Sequence, residues 1–468
     1  MAPRYLLLFL LLSMVSQARA GETVTVRPSA TKHLMLDDRV IDHVEHARLS
    51  QGVVEKDSHN PLFTADKPWE NALNNLYPNI VYDADAKVFK LWYKCVLADK
   101  DLIAKMMPPA TVHDVGWFLC YATSKDGVAW EKPDIGEIGF DGSTHNNIVA
   151  RDTPNVGVFK DEHDGDPSRR YKMIYDVGMG QIHVRFSPDG IHWSEKIATE
   201  GMPKTGDTHN NAFWDARLGK YVLFTRQAPN HERTVFRSES GDFIHWSAPT
   251  QALHALPEEG KKRQAYCMPV YPYGDGYVGL VMMYNAGIDQ TVDCELAWSA
   301  DSISWKRVFP GKPFIPRGSA GSYDAGCIYA QANPPVMQDG KMLIFYGGST
   351  AVHKGWKRHC LPCLARLRPD GFACYEPEKA GETAVIVTKP MRFTGSALRI
   401  SADAERGGVR VGIVNETGFG IGDCEEISGN VTDTEVHWKG GRPLSELKGK
   451  AVQLRFELRG AKLYAFDG

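Results

Sequence analysis

The chain carries no excess of charge of either sign: 54 lysines and arginines are interspersed with 57 aspartates and glutamates, for a formal net charge of −3. It therefore lacks a basic stripe to neutralise nucleic-acid phosphates and a polybasic tail to hold a membrane surface. Long hydrophobic runs are also missing. The one apolar stretch, Leu6 to Val15, is too short to span a bilayer. With Arg4 before it and Ala18-Arg19-Ala20 after it, residues 1–20 read as a signal peptide, so a secreted or periplasmic protein is expected. The nine cysteines are odd in number and follow no framework spacing, which predicts buried apolar side chains and leaves room for one or two disulfides. Cys360-Leu-Pro-Cys363 runs into a strand-like segment, where a redox motif needs a following helix, and no second pair is spaced to complete a zinc site. There is no His-Glu-x-x-His, no glycine-rich phosphate loop and no Gly-x-Ser-x-Gly elbow, so metalloproteolysis, nucleotide chemistry and serine hydrolysis lose support. No cofactor is expected, and a structural Ca²⁺ stays open.

Helical periodicity is absent too, and a repeat stands in its place. Ser124-Lys-Asp126-Gly127-Val-Ala-Trp130 recurs as Ser187-Pro-Asp189-Gly190-Ile-His-Trp193, Ser240-Gly-Asp242-Phe-Ile-His-Trp246 and Ser299-Ala-Asp301-Ser-Ile-Ser-Trp305. A weaker fifth copy is Arg368-Pro-Asp370-Gly371-Phe372. The serines are 63, 53 and 59 residues apart, a period that fits one four-stranded propeller blade with variable loops. Two strand-like runs joined by a turn precede each copy, as in Asn79 to Asp83 followed by Val88 to Tyr93. This predicts an all-β chain: a five-bladed β-propeller over residues 31–380. It is followed by a C-terminal β-sandwich over 384–468, where Val409 to Val414 and Val452 to Leu458 alternate apolar with polar residues.

The Ser-x-Asp-Gly-x-x-Trp turn resembles the Asp-box of sialidase propellers, one residue shorter. The order of propeller then sandwich, ending Leu454-Arg-Phe-Glu-Leu-Arg-Gly-Ala-Lys-Leu-Tyr-Ala-Phe466, is similar to glycoside hydrolase family 32, the invertase-like enzymes related to family 43. That resemblance implies a secreted glycosidase acting on an oligo- or polysaccharide through two funnel carboxylates. The departure lies in the catalytic motif. Family 32 enzymes carry an aspartate nucleophile at the first-blade entrance, where this chain reads Asn74-Asn75-Leu-Tyr-Pro-Asn79, and an amide forms no glycosyl ester. A non-catalytic carbohydrate-binding propeller is the alternative, and a protein-interaction scaffold a third.

In a blade, the first hairpin and the Asp-turn share one face, so the repeated aspartates are expected to brace their own turns and the site to lie on the other face. There the inner-strand entrances and the facing loops bring together the candidate catalytic residues Asp207, Glu295 and Asp324. Candidate substrate-binding residues are Glu70, Trp69, Asn75, His145, His209, Asn210, Arg226, Arg263, Gln264 and Tyr323, with His113, Asp114 and His353 on the facing loops between second and third strands. Sugars account for such a mixture: hydroxyls need donors and acceptors, an aromatic covers a ring face, and cleavage uses one protonated and one ionised carboxyl. Asp207 also reads as a turn-capping residue, Glu295 as a salt-bridged structural residue, Asp324 as a plain turn residue and Glu70 as a positioning or structural residue.

Overall fold

A computed structural model describes residues 23–107, 116–177, 181–202, 205–354, 358–440 and 443–468; residues 1–20, read from the sequence as a signal peptide, and the loop residues His113 and Asp114 lie outside them. Among the described residues, strand pairing builds five antiparallel blades. The first holds Asn79–Asp83, Val88–Leu97 and Gly116–Ser124, and its outer edge comes in two pieces, Trp130–Glu131 and Ile148–Arg151. The second holds Gly157–Lys160, Tyr171–Asp176, Ile182–Ser187 and Ile197–Ala198. The third holds Asn211–Asp215, Lys220–Gln227, Thr234–Ser240 and Thr250–Leu253. In the fourth, an inner strand split into Gln264–Cys267 and Val270–Tyr273 leads to Gly276–Tyr284, Val292–Ser299 and Lys306–Arg307.

The fifth blade differs from a simple reading of the repeat. Its inner edge is Cys327–Ala330 and Val336–Gln338, followed by Lys341–Ser349 and Cys360–Leu367, but its outer strand is the N-terminal Glu55–Lys56. The segment after the fifth Asp-turn, Ala373–Pro377, leaves the propeller and pairs with Ala47–Gln51 instead. The ring is thus closed by strands from its two ends.

The four full Asp-turns are bonded alike. In the first, Ser124 Oγ accepts from the Gly127 amide at 2.8 Å, and Asp126 Oδ1 accepts from the amides of Val128 and Ala129, both at 2.8 Å. Asp189, Asp242 and Asp301 repeat the pattern. The residue after each aspartate is left-handed: Gly127 at φ 77° and Gly190 at φ 84°, but also Phe243 at φ 71° and Ser302 at φ 61°. Glycine takes that conformation freely, whereas the two side-chain-bearing residues are held there at a local cost. The tryptophans pack on neighbouring blades, Trp130 edge-on to Phe345 and Trp305 edge-on to Phe224. A second inter-blade tie was not read from the sequence. The hairpin aspartates Asp83, Asp161 and Asp215 accept from Tyr171, Tyr221 and Tyr277 of the following blade at 2.7, 2.7 and 2.6 Å.

The C-terminal β-sandwich is one folded sheet with its own core, which includes Ile386, Ile400, Val411, Phe456, Leu463 and Phe466. It also takes in His33–Leu34, Ile41–Glu45 and Ala47–Gln51, so residues read from sequence as the start of the propeller belong by pairing to this sheet. Its longest strand, Arg399–Ile413, pairs with Lys462–Asp467 over its first half and with Leu454–Arg459 over its second, which carries the sheet from one layer to the other. At the bend, a Cβ on Gly407 would meet the Arg459 carbonyl at 1.7 Å, so only glycine fits.

The fifth Asp-turn fastens the two units together. Buried Asp370 accepts from Lys32 Nζ at 2.9 Å, Tyr273 of the fourth blade at 2.7 Å and Ser401 of the sandwich at 2.5 Å. Burial raises its carboxyl pKa, but Lys32 and these hydrogen bonds outweigh that and hold it below the usual range. Asp370→Ala is expected to destabilise the chain by about 2–5 kcal/mol, because Tyr273 and Ser401 lose their buried acceptor while Lys32 keeps Asp433 at 2.5 Å. Asp242→Ala, which loses only a turn brace, should cost about 1–2 kcal/mol. Urea unfolding of both variants checks this, and equal costs would remove the special role of the fifth turn.

Candidate functional site

Antiparallel alternation separates the two faces of the ring. Asp83 lies opposite Val88 and Phe89 opposite Ser124, so hairpins and Asp-turns share one face. The other face collects inner-strand starts, second-strand ends and third-strand starts. At its centre the described residues form one polar network drawn from all five blades.

The network starts in a constrained loop. Asn74, Leu76 and Tyr77 have φ of 47°, 57° and 48°, unusual for bulky residues and held by burial on every side. Their conformation aims Asn75 and Tyr77 inward. The Tyr77 and Tyr266 hydroxyls are 2.7 Å apart, and Asn75 Nδ2 donates to both, at 2.7 and 3.0 Å. Arg358 donates through Nε to Asn75 Oδ1 at 3.0 Å and through Nη1 to the His353 carbonyl at 2.6 Å. His353 Nδ1 lies 2.5 Å from the Tyr329 hydroxyl, and its ring stands edge-on to Tyr266 and Tyr284 at 4.7 and 4.6 Å. On the opposite side His209 stacks on Tyr77 at 4.9 Å and donates to Asn79 Oδ1 at 3.0 Å. Arg226 lies over the Tyr266 ring at 4.8 Å and bonds Asp207, which also accepts from Asn155 of the second blade at 3.4 Å. Lys94 sits over Tyr77 at 4.3 Å and donates to Asn74 Oδ1 at 3.3 Å.

Burial controls ionisation here. It raises the Tyr77 and Tyr266 hydroxyls, which therefore stay protonated at neutral pH. It lowers His209 to about 3 with help from Lys94, and His353 to about 2 with help from Arg358 and the other cations, so both rings are neutral. Lys94 is lowered to about 7 by burial and then by Arg358.

Of the residues singled out from the sequence, Asp207, Asn75, His209, Arg226 and His353 enter this network. The other carboxylates are bound to cations. Glu295, fully buried, accepts from Arg307 at 2.8 Å, from Arg263 and from the Gly311 amide at 3.2 Å, and burial raises its carboxyl despite these partners. Asp324 accepts from Lys56 of the closing strand at 2.5 Å and from Tyr346 at 3.0 Å. Glu70 repeats that arrangement in the first blade, with Lys132 at 2.8 Å and Tyr93 at 2.6 Å. Each of these two is a carboxylate ahead of an inner strand, gripped by a second-strand tyrosine and a lysine from or beside the outer strand. Trp69 is buried and donates to Asn147, and Asn210 braces the turn before its strand by donating to three carbonyls. Gln264 accepts from Arg233 at 2.9 Å and so supports the network from behind. Tyr323 is half-buried beside Asn60, and exposed His145 pairs with Asp134 at 2.6 Å.

Sequence reading passed over Tyr77, Lys94, Arg233, Tyr284, Tyr329 and Arg358. A signal existed for some of them: a lysine inside the apolar run Leu91-Trp-Tyr-Lys94-Cys-Val-Leu97, and tyrosines at three inner-strand entrances, Tyr77, Tyr266 and Tyr329. A cavity of ≈ 320 Å³ lined by Val26, Phe213, Trp214 and Tyr273 opens on the hairpin face, away from this network. All nine cysteines are buried and free. Among the described residues, no group of three or more His, Cys, Asp or Glu is arranged to hold a metal ion, and no helix is long and apolar enough to cross a membrane.

No family model matches the chain, and no curated protein matches it. Solved structures that resemble it include an N-acetylgalactosamine deacetylase from F. plautii in complex with blood group B trisaccharide, at 15% identity and TM-score 0.44 over 68% of this chain and 95% of that one. A β-1,2-mannobiose phosphorylase from Listeria innocua gives 11% and 0.46 over 67% and 96%. An α-L-arabinofuranosidase from Podospora anserina in complex with cellotriose gives 14% and 0.44 over 68% and 96%. None of these three is described as a family 32 enzyme. Overlap this slight carries no statement about the chemistry of the present chain.

Lys94 gives the site a pH signature. Its pKa falls from 10.5 to about 7 on folding. Between those values the unfolded chain holds a proton that the folded chain has lost, so this group adds stability as pH rises. Lys94→Met, which has no such proton, should therefore stabilise most below pH 7. The gain should shrink by about 2 kcal/mol between pH 7 and 9. Paired urea unfolding of wild type and variant measures it; a gain independent of pH would contradict the assignment.

Proposed function

We propose that the chain is an exported carbohydrate-active enzyme that cleaves glycosidic bonds of an oligo- or polysaccharide at the centre of the propeller. The observation that carries this reading is the convergence, from five blades, of Asp207 with neutral tyrosines, asparagines and histidines on the face free of Asp-turns. Sugar hydroxyls are met by donors and acceptors in this density, and the Tyr77, Tyr266 and Tyr284 rings supply apolar surface beside them. Asp207 is the group assigned to proton transfer. Its side chain is 79% exposed to an incoming ligand while Arg226 fixes its position, and it is the one carboxylate bonded into the network among the described residues. Glu295, Asp324 and Glu70 are ion-paired like Asp207 but, unlike it, have side chains closed off from any ligand, which favours a supporting role for them over that of a second catalytic carboxyl. Tyr77 and Tyr266, protonated, are placed to donate to sugar oxygens. The family 32 resemblance supports the same class of reaction. A non-catalytic carbohydrate-binding propeller is the second reading, favoured by Asn74 and Asn75 at the first-blade entrance and by the single carboxylate in the network.

Sugar release from a broad panel of oligo- and polysaccharides by wild type, Asp207→Asn and Glu295→Gln separates these readings. Asp207→Asn is expected to lower release by about 10²–10⁴-fold with binding retained, and Glu295→Gln to act through stability. Release by Asp207→Asn equal to wild type would remove Asp207 from the chemistry. Binding without release by any of the three proteins would leave the binding propeller.

A further inference from the structure

Among the described residues, the charges at the propeller centre do not balance. In the fourth blade the buried ion network matches three carboxylates, Glu259, Asp293 and Glu295, with three arginines, Arg263, Arg307 and Arg317. At the centre four cations, Lys94, Arg226, Arg233 and Arg358, face Asp207 as the one carboxylate among the described residues. All four depress the same imidazole, that of His353, so they act on one place. Arg226 and Arg233 both lie by the Tyr266 ring, at 4.8 and 5.9 Å, and the His353 ring is 4.7 Å from it.

Two of these cations have no ion pair among the described residues. Lys94 meets only the Asn74 side-chain oxygen and the faces of Tyr77 and Trp117. Arg233 meets only Gln264 and the rings of Tyr284 and Tyr266. Arg226, 6% exposed, spends one nitrogen on Asp207, and its buried Nη1 has no hydrogen-bond partner. Cation–π contacts return less than it costs to bury an uncompensated charge such as Lys94, 1% exposed, or to half-bury one such as Arg233. An arrangement built only for stability would have balanced these charges, as the fourth blade does.

We infer that the central site, read above as a saccharide site, is built for an acidic saccharide, and that the ligand's oxyanion, a uronate carboxylate or a sulfate ester, docks among Lys94, Arg226, Arg233 and Arg358. Planar guanidinium groups bind both kinds of oxyanion through paired N–H donors, and the tyrosine hydroxyls take the neighbouring sugar oxygens.

Calorimetric titration of the full chain with uronate, sulfated and neutral oligosaccharides of matched backbones tests this. One acidic series is expected to bind at least tenfold tighter than its neutral counterpart and to weaken as salt rises, and whichever acidic arm binds identifies the oxyanion. A second measurement does not depend on the sugar. Free glucuronate and inorganic sulfate should raise the melting temperature of wild type above that in chloride at equal ionic strength, and the shift should vanish in the double variant Lys94→Met with Arg233→Gln. Neutral glycans binding as tightly as acidic ones, or an equal shift in wild type and double variant, would overturn the inference. Acidic glycans that bind uncleaved would sink the enzymatic reading and leave this one standing. Neutral glycans cleaved while acidic ones fail to bind would do the reverse.

Discussion

The structure depends on one short pairing, that of Glu55–Lys56 with Cys360–Leu367. A propeller ring has to be closed, and here two residues from near the start of the described chain supply the outer strand that the fifth blade lacks. The consequences reach inward. Lys56, held in that strand, grips Asp324 ahead of the fifth inner strand, and Asp57 beside it binds Arg366. From there the chain crosses to the first blade and delivers Asn74 to Tyr77 into the centre in a backbone conformation that such residues rarely adopt. Closure and presentation of the site are the work of one segment.

The same residue type serves opposite ends within this frame. Aspartates on the hairpin face brace turns and tie each blade to the next tyrosine. Carboxylates buried within blades are clasped by lysine, arginine and tyrosine, as Glu70, Asp324 and Glu295 are. Only at the centre does the pattern change, where among the described residues cations outnumber carboxylates and aromatic faces take up part of the difference. That contrast in local charge distinguishes the centre from the rest of a molecule whose total charge is nearly neutral.

The Asp-turns were legible because they are local: the serine, the aspartate and the amides they bind lie within a few residues of one another, so residue type and spacing reveal them. The strands were legible by alternation. The exchange of strands at the chain's start was not, because Glu55–Lys56 and Ala47–Gln51 are ordinary short segments whose partners lie more than 300 residues away. Asp207, His209, Arg226 and Asn75 were found from their place ahead of, or at the end of, blade strands. Glu295 and Asp324 share that placement and turn out to be ion-paired, since position in a blade does not reveal which neighbour a side chain meets.

The sequence by itself determined the all-β class, the number of blades and the face that carries the Asp-turns, since these follow from a periodic motif and the fixed alternation of antiparallel strands. Only the tertiary structure decided which residues share the centre. Tyr77, Lys94, Tyr266, His353 and Arg358 come together because the ring closes, and their ionisation follows from burial that no stretch of sequence displays.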